Sequence, residues 1–426
     1  MSAWCAAADF SDPRIQELVE QNQRLQKQVQ DQQAQIYELR GRLDRLQQTD
    51  DERAGAVRAL TERVEAAGPD TMSSARSPGE VRISAEAGLA FFSSGRDGQF
   101  PKDEFRVDDA KVFFEAPVGK NVYLFAGLDL TTREANDEFF HVGELYVDFE
   151  NVSALWGRER ALNIRAGRFY IPFGEEYQVR GVLANPLVSH SLSDIWGIDE
   201  GVEIYGGTDR VQYALAVQNG GHKTLHDFNA DKSVAGRIGL ELSGQISLSA
   251  SAMRTGKLNA PGDGLSEVWF GGGFFRALGP TATTRTFWAD LIEIDGTARW
   301  KGGHLKAAVG RARFDDDDRT TDRSRRLSYY SLEGKQRISG NLFGAVRFSR
   351  ISVPKGYPLV GQGDFGDYFF ARPPTEYLER LSLGLGYQFG PPLIWKAEYS
   401  AERGRLINGV RRDEEDLLST EIGMRF

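Results

Sequence analysis

One cysteine, Cys5, stands among 426 residues, so no disulfide can form within the chain. So few thiols are compatible with an oxidising compartment. No run of about 18 apolar residues occurs, which excludes a transmembrane helix. A membrane is not excluded, because barrel strands alternate lipid-facing and lumen-facing residues and their hydropathy averages away. Basic charge is short as well: 52 Lys and Arg against 61 Asp and Glu give a net charge of −9, which argues against a nucleic-acid partner. The five histidines, His141, His190, His222, His226 and His304, are scattered. His222 and His226 are spaced i, i+4 in a Gly- and Asp-rich stretch rather than a helix. The run "FDDDDRTTD" lacks the Gly and Glu spacing of an EF-hand and reads as a solvated acidic loop. "GGGFF" is expected to have no following helix and lacks the lysine, so it is no phosphate loop. No catalytic residue, metal or cofactor is expected.

Two periodicities are present. Residues 12–67 repeat every seven, with Ile15, Val29, Ile36, Leu43, Val57 and Val64 at a, and Leu18, Leu25, Leu39, Leu46 and Leu60 at d. Asp12 and Pro13 suit an N-cap and first helical position. The pattern predicts an oligomerising coiled coil about 80 Å long, weakened where Asp50 and Arg53 enter the seam. Ahead of it, residues 1–11 ("SAWCAAADF") read as the tail of a truncated secretory signal, with Ala6, Ala7 and Ala8 as the small residues. Residues 68–79 are a Gly-, Pro- and Ser-bearing linker.

From residue 80 to 426 the period is two. "NVYLFAGLDL", "GELYVDFE", "LSLGLGYQF" and "IWKAEYSAE" each set an apolar row against a polar one, the pattern of a strand with two unlike faces. The last decapeptide, "LLSTEIGMRF", places Leu418, Thr420, Ile422, Met424 and Phe426 on one row. Short connections ("APVGKN", "GTDR", "SG", "KGG", "GPP") alternate with long polar ones at 93–103, 131–138, 220–232, 315–324, 351–376 and 404–415. Short turns on one side and long loops on the other are the transmembrane barrel pattern. Aromatics near strand ends (Phe91, Phe92, Phe105, Phe139, Phe140, Phe287, Trp288, Trp300, Tyr329, Tyr330, Phe426) suggest an interfacial girdle. Direct counting finds about seventeen strands. An even number is required when both ends lie on one side, and placing 256–285 in a single long loop makes sixteen. The expected fold is an all-β transmembrane barrel of about 16 antiparallel strands behind an α-helical coiled coil.

The stretch "LNIRAGRFYIPFGEE" carries Gly167, Arg168, Pro172, Phe173, Gly174 and Glu176 in the order G-[basic]-x-x-x-P-F-G-x-E. It resembles an element of the phosphate-selective O/P porin family, as do "DEGVEIYGG", "VQNGG" and "DKSVAGRIGLEL". The resemblance covers roughly 80–426. It implies a trimeric, sixteen-stranded outer-membrane porin whose third long loop, here 169–199, folds into the lumen and narrows it. The terminal row of "LLSTEIGMRF" resembles the C-terminal insertion signal of bacterial outer-membrane barrels, which implies that Ile422, Met424 and Phe426 are read by the barrel-assembly machinery. Where family members present a basic residue before the next strand, this chain has Asp199 and Glu200.

Alternation points Arg82, Arg106, Lys111, Arg165, Arg237, Arg299, Lys306, Arg347 and Lys396 inward. It also points Glu86, Asp108, Glu115, Asp129, Glu144, Asp148, Glu241, Glu293, Asp295 and Glu398 inward. Candidates at the constriction are Arg165, Arg168 and Arg180 against Glu175, Glu176, Asp194, Asp199 and Glu200. The signs nearly balance, which predicts weak charge preference. The expected function is a passive outer-membrane pore for ions and small hydrophilic solutes, homotrimeric in the lipid bilayer, with its coiled coil in the periplasm. The alternative is a tether in which the coiled coil reaches peptidoglycan.

Overall fold

The computed structural model describes residues 80–131, 141–220, 230–260, 269–277, 283–359, 361 and 373–426. The coiled coil expected at 12–67, the segments 1–11 and 68–79, and Phe139, Phe140, His222 and His226 lie outside the described residues.

Sixteen long strands form one closed antiparallel barrel. They are β1 (Arg82–Ser94), β2 (Glu104–Gly119), β3 (Val122–Thr131), β4 (His141–Phe149), β5 (Asn163–Tyr170), β6 (Ile198–Gly207), β7 (Val211–Gln218) and β8 (Ser233–Ser243). The second half is β9 (Ile246–Arg254), β10 (Thr286–Trp300), β11 (Gly303–Asp316), β12 (Arg325–Ser339), β13 (Leu342–Tyr357), β14 (Thr375–Gly390), β15 (Leu393–Leu406) and β16 (Leu417–Arg425). Each pairs with its sequence neighbours, and β1 pairs with both β2 and β16, from Glu86 opposite Arg425 to Ser94 opposite Leu417. The seam continues past β16, where Ala85 and Phe426 exchange two backbone hydrogen bonds of 3.0 Å. Short turns sit at one end, helped by Gly302 at φ 82° and by Asn121 at φ 60°, a residue that tolerates the left-handed region. The long loops sit at the other. That over 255–285 contains a two-residue pairing, Leu258–Asn259, and a short helix, α1 (Gly272–Ala277), which corrects the expectation of no helix at "GGGFF".

The alternation decides which row faces out. On β14, Leu381, Leu383 and Leu385 are exposed, whereas Ser382 between them is fully buried. On β10, Ile292 and Ile294 face out and Leu291, Glu293 and Asp295 face in. The aromatic girdle needs correction. Phe92, Phe287 and Tyr329 are buried inside the barrel, while Phe105, Trp300, Tyr330 and Phe426 stay exposed. Phe91–Phe92, Phe287–Trp288 and Tyr329–Tyr330 are adjacent pairs, and a strand sends adjacent side chains to opposite faces. The loop expected at 351–376 also starts later, because β13 runs on to Tyr357. Ile351, Val353 and Tyr357 are held there by an apolar cluster inside the barrel mouth.

The exposed Phe426 ring ends the outward row of the closing strand. Phe426→Ala is expected to cost about 1.5 kcal/mol, the low end for an apolar ring withdrawn from water. The folded fraction on heat-modifiable gels across a urea series measures this. An unchanged midpoint would mean that the ring rests in water.

Candidate functional site

The chain leaves the wall after β5 and returns at β6, so the lumen loop spans 171–197. Ile171 and Phe173 enter the apolar cluster built by β10–β13 and the loop 255–285, whose Trp269, Phe270, Phe274 and Phe275 are buried against Phe287, Phe314, Tyr329 and Tyr357. Gly174 donates its N–H to Ser251 Oγ on β9 at 3.0 Å. Glu175 accepts from Arg237 on β8 at 2.7 Å. Glu176 turns back within the loop to accept from the Ser191 N–H at 2.8 Å. The loop thus reaches the wall opposite its own origin.

That far wall holds the loop with charges. Lys396, 1 % exposed, donates to the carbonyls of Val182 and Leu187, both at 2.9 Å, and pairs with Glu421 at 2.6 Å. Arg347 donates to the Ser189 carbonyl at 2.7 Å and to Asn185 Oδ1 at 2.8 Å while paired with Glu333. Glu398 accepts the N–H groups of Val188 and Ser189 at 2.7 and 2.8 Å. Arg380, paired with Glu402, donates to the His190 carbonyl at 2.7 Å. The bonds to Val182, Leu187, Val188, Ser189 and His190 each satisfy an irregular backbone group that has no strand partner.

Missing side chains matter equally. A Cβ at Gly384 would lie 2.4 Å from Leu187 Cδ2, and one at Gly423 would lie 2.3 Å from Val182 Cγ1. These inner-row glycines are sockets for the loop's two apolar knobs. Gly384→Val is expected to destabilise the barrel by about 1–3 kcal/mol through overpacking and to make the open-channel current noisier. Gly334→Val is the control, because its nearest neighbour would be Val346 Cγ1 at 3.7 Å. Equal unfolding midpoints for the two variants would remove the socket.

The residues singled out from sequence fall into three groups. Arg347 and Lys396 are loop anchors beneath the loop rather than charges open to the lumen. Arg168 and Glu200 pair at 2.7 Å on the outward row, opposite Leu145 and two residues before Val202. They therefore do not line a constriction, and Asp199, buried and accepting the Gly220 N–H at 2.6 Å, does not either. The third group stays on the luminal side. Arg165 pairs with Asp148 at 3.0 Å and Glu203 at 3.2 Å, its guanidinium between the rings of Tyr146 and Tyr205. Arg237 pairs with Asp295 and Glu175, both at 2.7 Å, and Lys111 with Asp109 at 3.0 Å. Arg180 pairs with Asp194, which also lies 3.2 Å from His190 Nδ1. Arg106 lies over Phe100, with Asp108 4.0 Å away. Arg82 and Arg299 are exposed at the short-turn end. Arg380, Glu421 and the socket glycines were not singled out. The one signal for them was glycine where the inner row should carry a polar side chain, as in "LSLGLGYQF".

Burial separates the two sides of the lumen. The inner rows of β13–β15, such as Ser349, Ser382, Glu398 and Ser400, are covered by the loop. On β2–β6 the inner-row residues Phe113, Glu115, Phe125, Tyr146, Arg165 and Tyr205 remain partly open. Among the described residues no group of three metal-ligating side chains occurs. The acidic run after β11 is satisfied by the protein: hydroxyls of Thr283 and Thr320 hold the Asp318 carboxyl down at about 2.

No family model and no curated protein matches this sequence. Solved structures do. OmpT of Vibrio cholerae, expressed in the outer membrane, superposes with a TM-score of 0.54 at 12 % identity, over 83 % of this chain and 99 % of that one. The outer-membrane channel DcaP of Acinetobacter baumannii gives 0.53 at 12 % identity, again over 83 % and 99 %. OprB of Pseudomonas putida gives 0.50 at 10 % identity, over 82 % and 94 %. At such identities the likeness concerns the fold: the described residues from 80 to 426 share the closed antiparallel barrel of these outer-membrane proteins, with sixteen strands.

Proposed function

We propose that the chain is an outer-membrane porin: a passive, water-filled pore for ions and small hydrophilic solutes, with the long loops outside and the short turns in the periplasm. The observation that carries this reading is the lumen loop 171–197. Nine hydrogen bonds with Lys396, Arg347, Glu398 and Arg380 fasten it across the barrel at a fixed place. A barrel serving only as an anchor has no need of such a loop. Solute passes beside it, along β2–β6.

Charge preference is weak in this reading. Arg165, Arg180, Arg237 and Lys111 each have a carboxylate partner, so these four do not present the unpaired cations that tight phosphate binding requires. A homotrimer is part of the proposal, supported by a solved trimeric form of the Vibrio cholerae OmpT barrel. So are insertion by the barrel-assembly machinery and a periplasmic coiled coil over residues 12–67. The test is single-channel recording in planar bilayers under a salt gradient. Steady conductance with a small reversal potential is expected. Strong anion selectivity blocked by micromolar phosphate would refute weak preference, and a channel closed under all conditions would favour the tether.

A further inference from the structure

The outer wall carries cations where a lipid-facing surface should carry none. On β11, Val309 faces out, and the next two outward positions toward the long loops are Arg311 and Arg313. On β12 the outward row climbs from Leu332 through Tyr330 and Ser328 to Arg326. The register sets Arg313 directly opposite Arg326. Like charges facing each other across two strands are destabilising. Asp315 lies 3.1 Å from Arg313 and relieves part of this. Arg254 adds a further cation, 3.6 Å from Asp290, which the register places opposite Arg313. Arg311 and Arg326 are exposed and make no ion pair among the described residues.

The height of this group identifies its partner. Ile294, Val309 and Leu332 make an exposed apolar band, and the register sets Tyr330 opposite Val309 and Trp288 opposite Asp315, one outward step past Arg313. Aromatics of that kind mark the boundary between hydrocarbon and headgroups. The arginines lie between these two aromatics. Guanidinium groups at headgroup depth match the geometry of phosphate oxygens, to which they donate in pairs.

We propose that Arg311, Arg313 and Arg326 form a docking site for the phosphomonoester of a lipid headgroup in the outer leaflet, whose second ionisation the phosphodiester of a zwitterionic lipid lacks. The bound anion screens the Arg313–Arg326 repulsion and completes the belt. The proposal rests on the outer-membrane reading for its depth and uses none of the lumen residues.

The experiment reconstitutes the full chain in phosphatidylcholine bilayers with and without phosphatidic acid, a phosphomonoester lipid. Lipid that remains bound after extraction is counted by native mass spectrometry, and the unfolding midpoint is read on heat-modifiable gels. The wild type is expected to retain phosphatidic acid over phosphatidylcholine. Arg311→Gln/Arg326→Gln should reduce that retention about tenfold, the scale of one lost charge-assisted hydrogen bond. A second readout reverses sign: Arg326→Gln should raise the midpoint in pure phosphatidylcholine, where only repulsion is removed, and lower it when phosphatidic acid is present. Equal retention by wild type and double variant overturns the site. So does an identical midpoint shift with inorganic phosphate alone, which would mean a free-anion site instead of a lipid site. Conductance recorded in the same bilayers reports on the porin reading separately, so either can fail without the other.

Discussion

Replacing Lys396 by methionine is expected to release the lumen loop and widen the channel. The ammonium sits between the Val182 and Leu187 carbonyls on one side and Glu421 on the other. Methionine keeps the packing volume and removes the donor. Three loop carbonyls, of Val182, Asn185 and Leu187, and one carboxylate then remain buried without it, and breaking a buried pair by removing one partner costs about 3–5 kcal/mol. At about 1.4 kcal/mol per factor of ten, that is enough to reverse a loop equilibrium that otherwise favours the pinned state. Arg347 and Glu398 still hold residues 185 and 188–189, so the segment around Val182 should detach first. In planar bilayers the variant should show a larger conductance with frequent transitions between levels. Lys396→Met/Glu421→Gln removes the stranded carboxylate as well, and should restore part of the stability without restoring the pinned level. A double variant that conducts like the wild type would show that the sockets at Gly384 and Gly423, not the charges, hold the loop.

The second large effect belongs to the outer face. Ile294→Arg places a guanidinium in the middle of the outward row of β10, at a position 61 % exposed and opposite Val309. In a bilayer that position meets hydrocarbon, and an arginine at the midplane of a transmembrane barrel costs about 2–4 kcal/mol. In a water-soluble sheet the same change would be nearly neutral. Urea titration of the folded barrel in phosphatidylcholine vesicles measures the difference. An unchanged midpoint would mean that the β10 row does not face lipid, and the membrane reading would fail with it.

The barrel was legible because strand alternation is a local property. Ser382 and Leu383 take opposite faces whatever the rest of the chain does, and residues in the left-handed region, Asn121, Gly302 and Gly340, close three of the hairpins from their own dihedral preferences. The strand rows, the long-loop and short-turn ends, and an irregular loop after β5 therefore follow from residues near one another in sequence, whereas the count of sixteen needed the rule that both chain ends lie on one side. The loop's contacts were not legible. Lys396 lies more than two hundred residues from Val182, and no period connects them. Alternation also misled in one respect: it says which side of a wall a charge occupies, not what covers that side. Arg347 and Lys396 point inward as expected and still do not face the lumen, because the loop lies on them. Arg168 shows the converse. Its motif looked luminal, but the pairing with Leu145 and Glu200 turns it outward. Rows and turns depend on nearest neighbours along the chain, so alternation and turn residues place them. Which inward charges stay open and which hold the loop depends on barrel closure, which brings the chain after β5 against β13–β15.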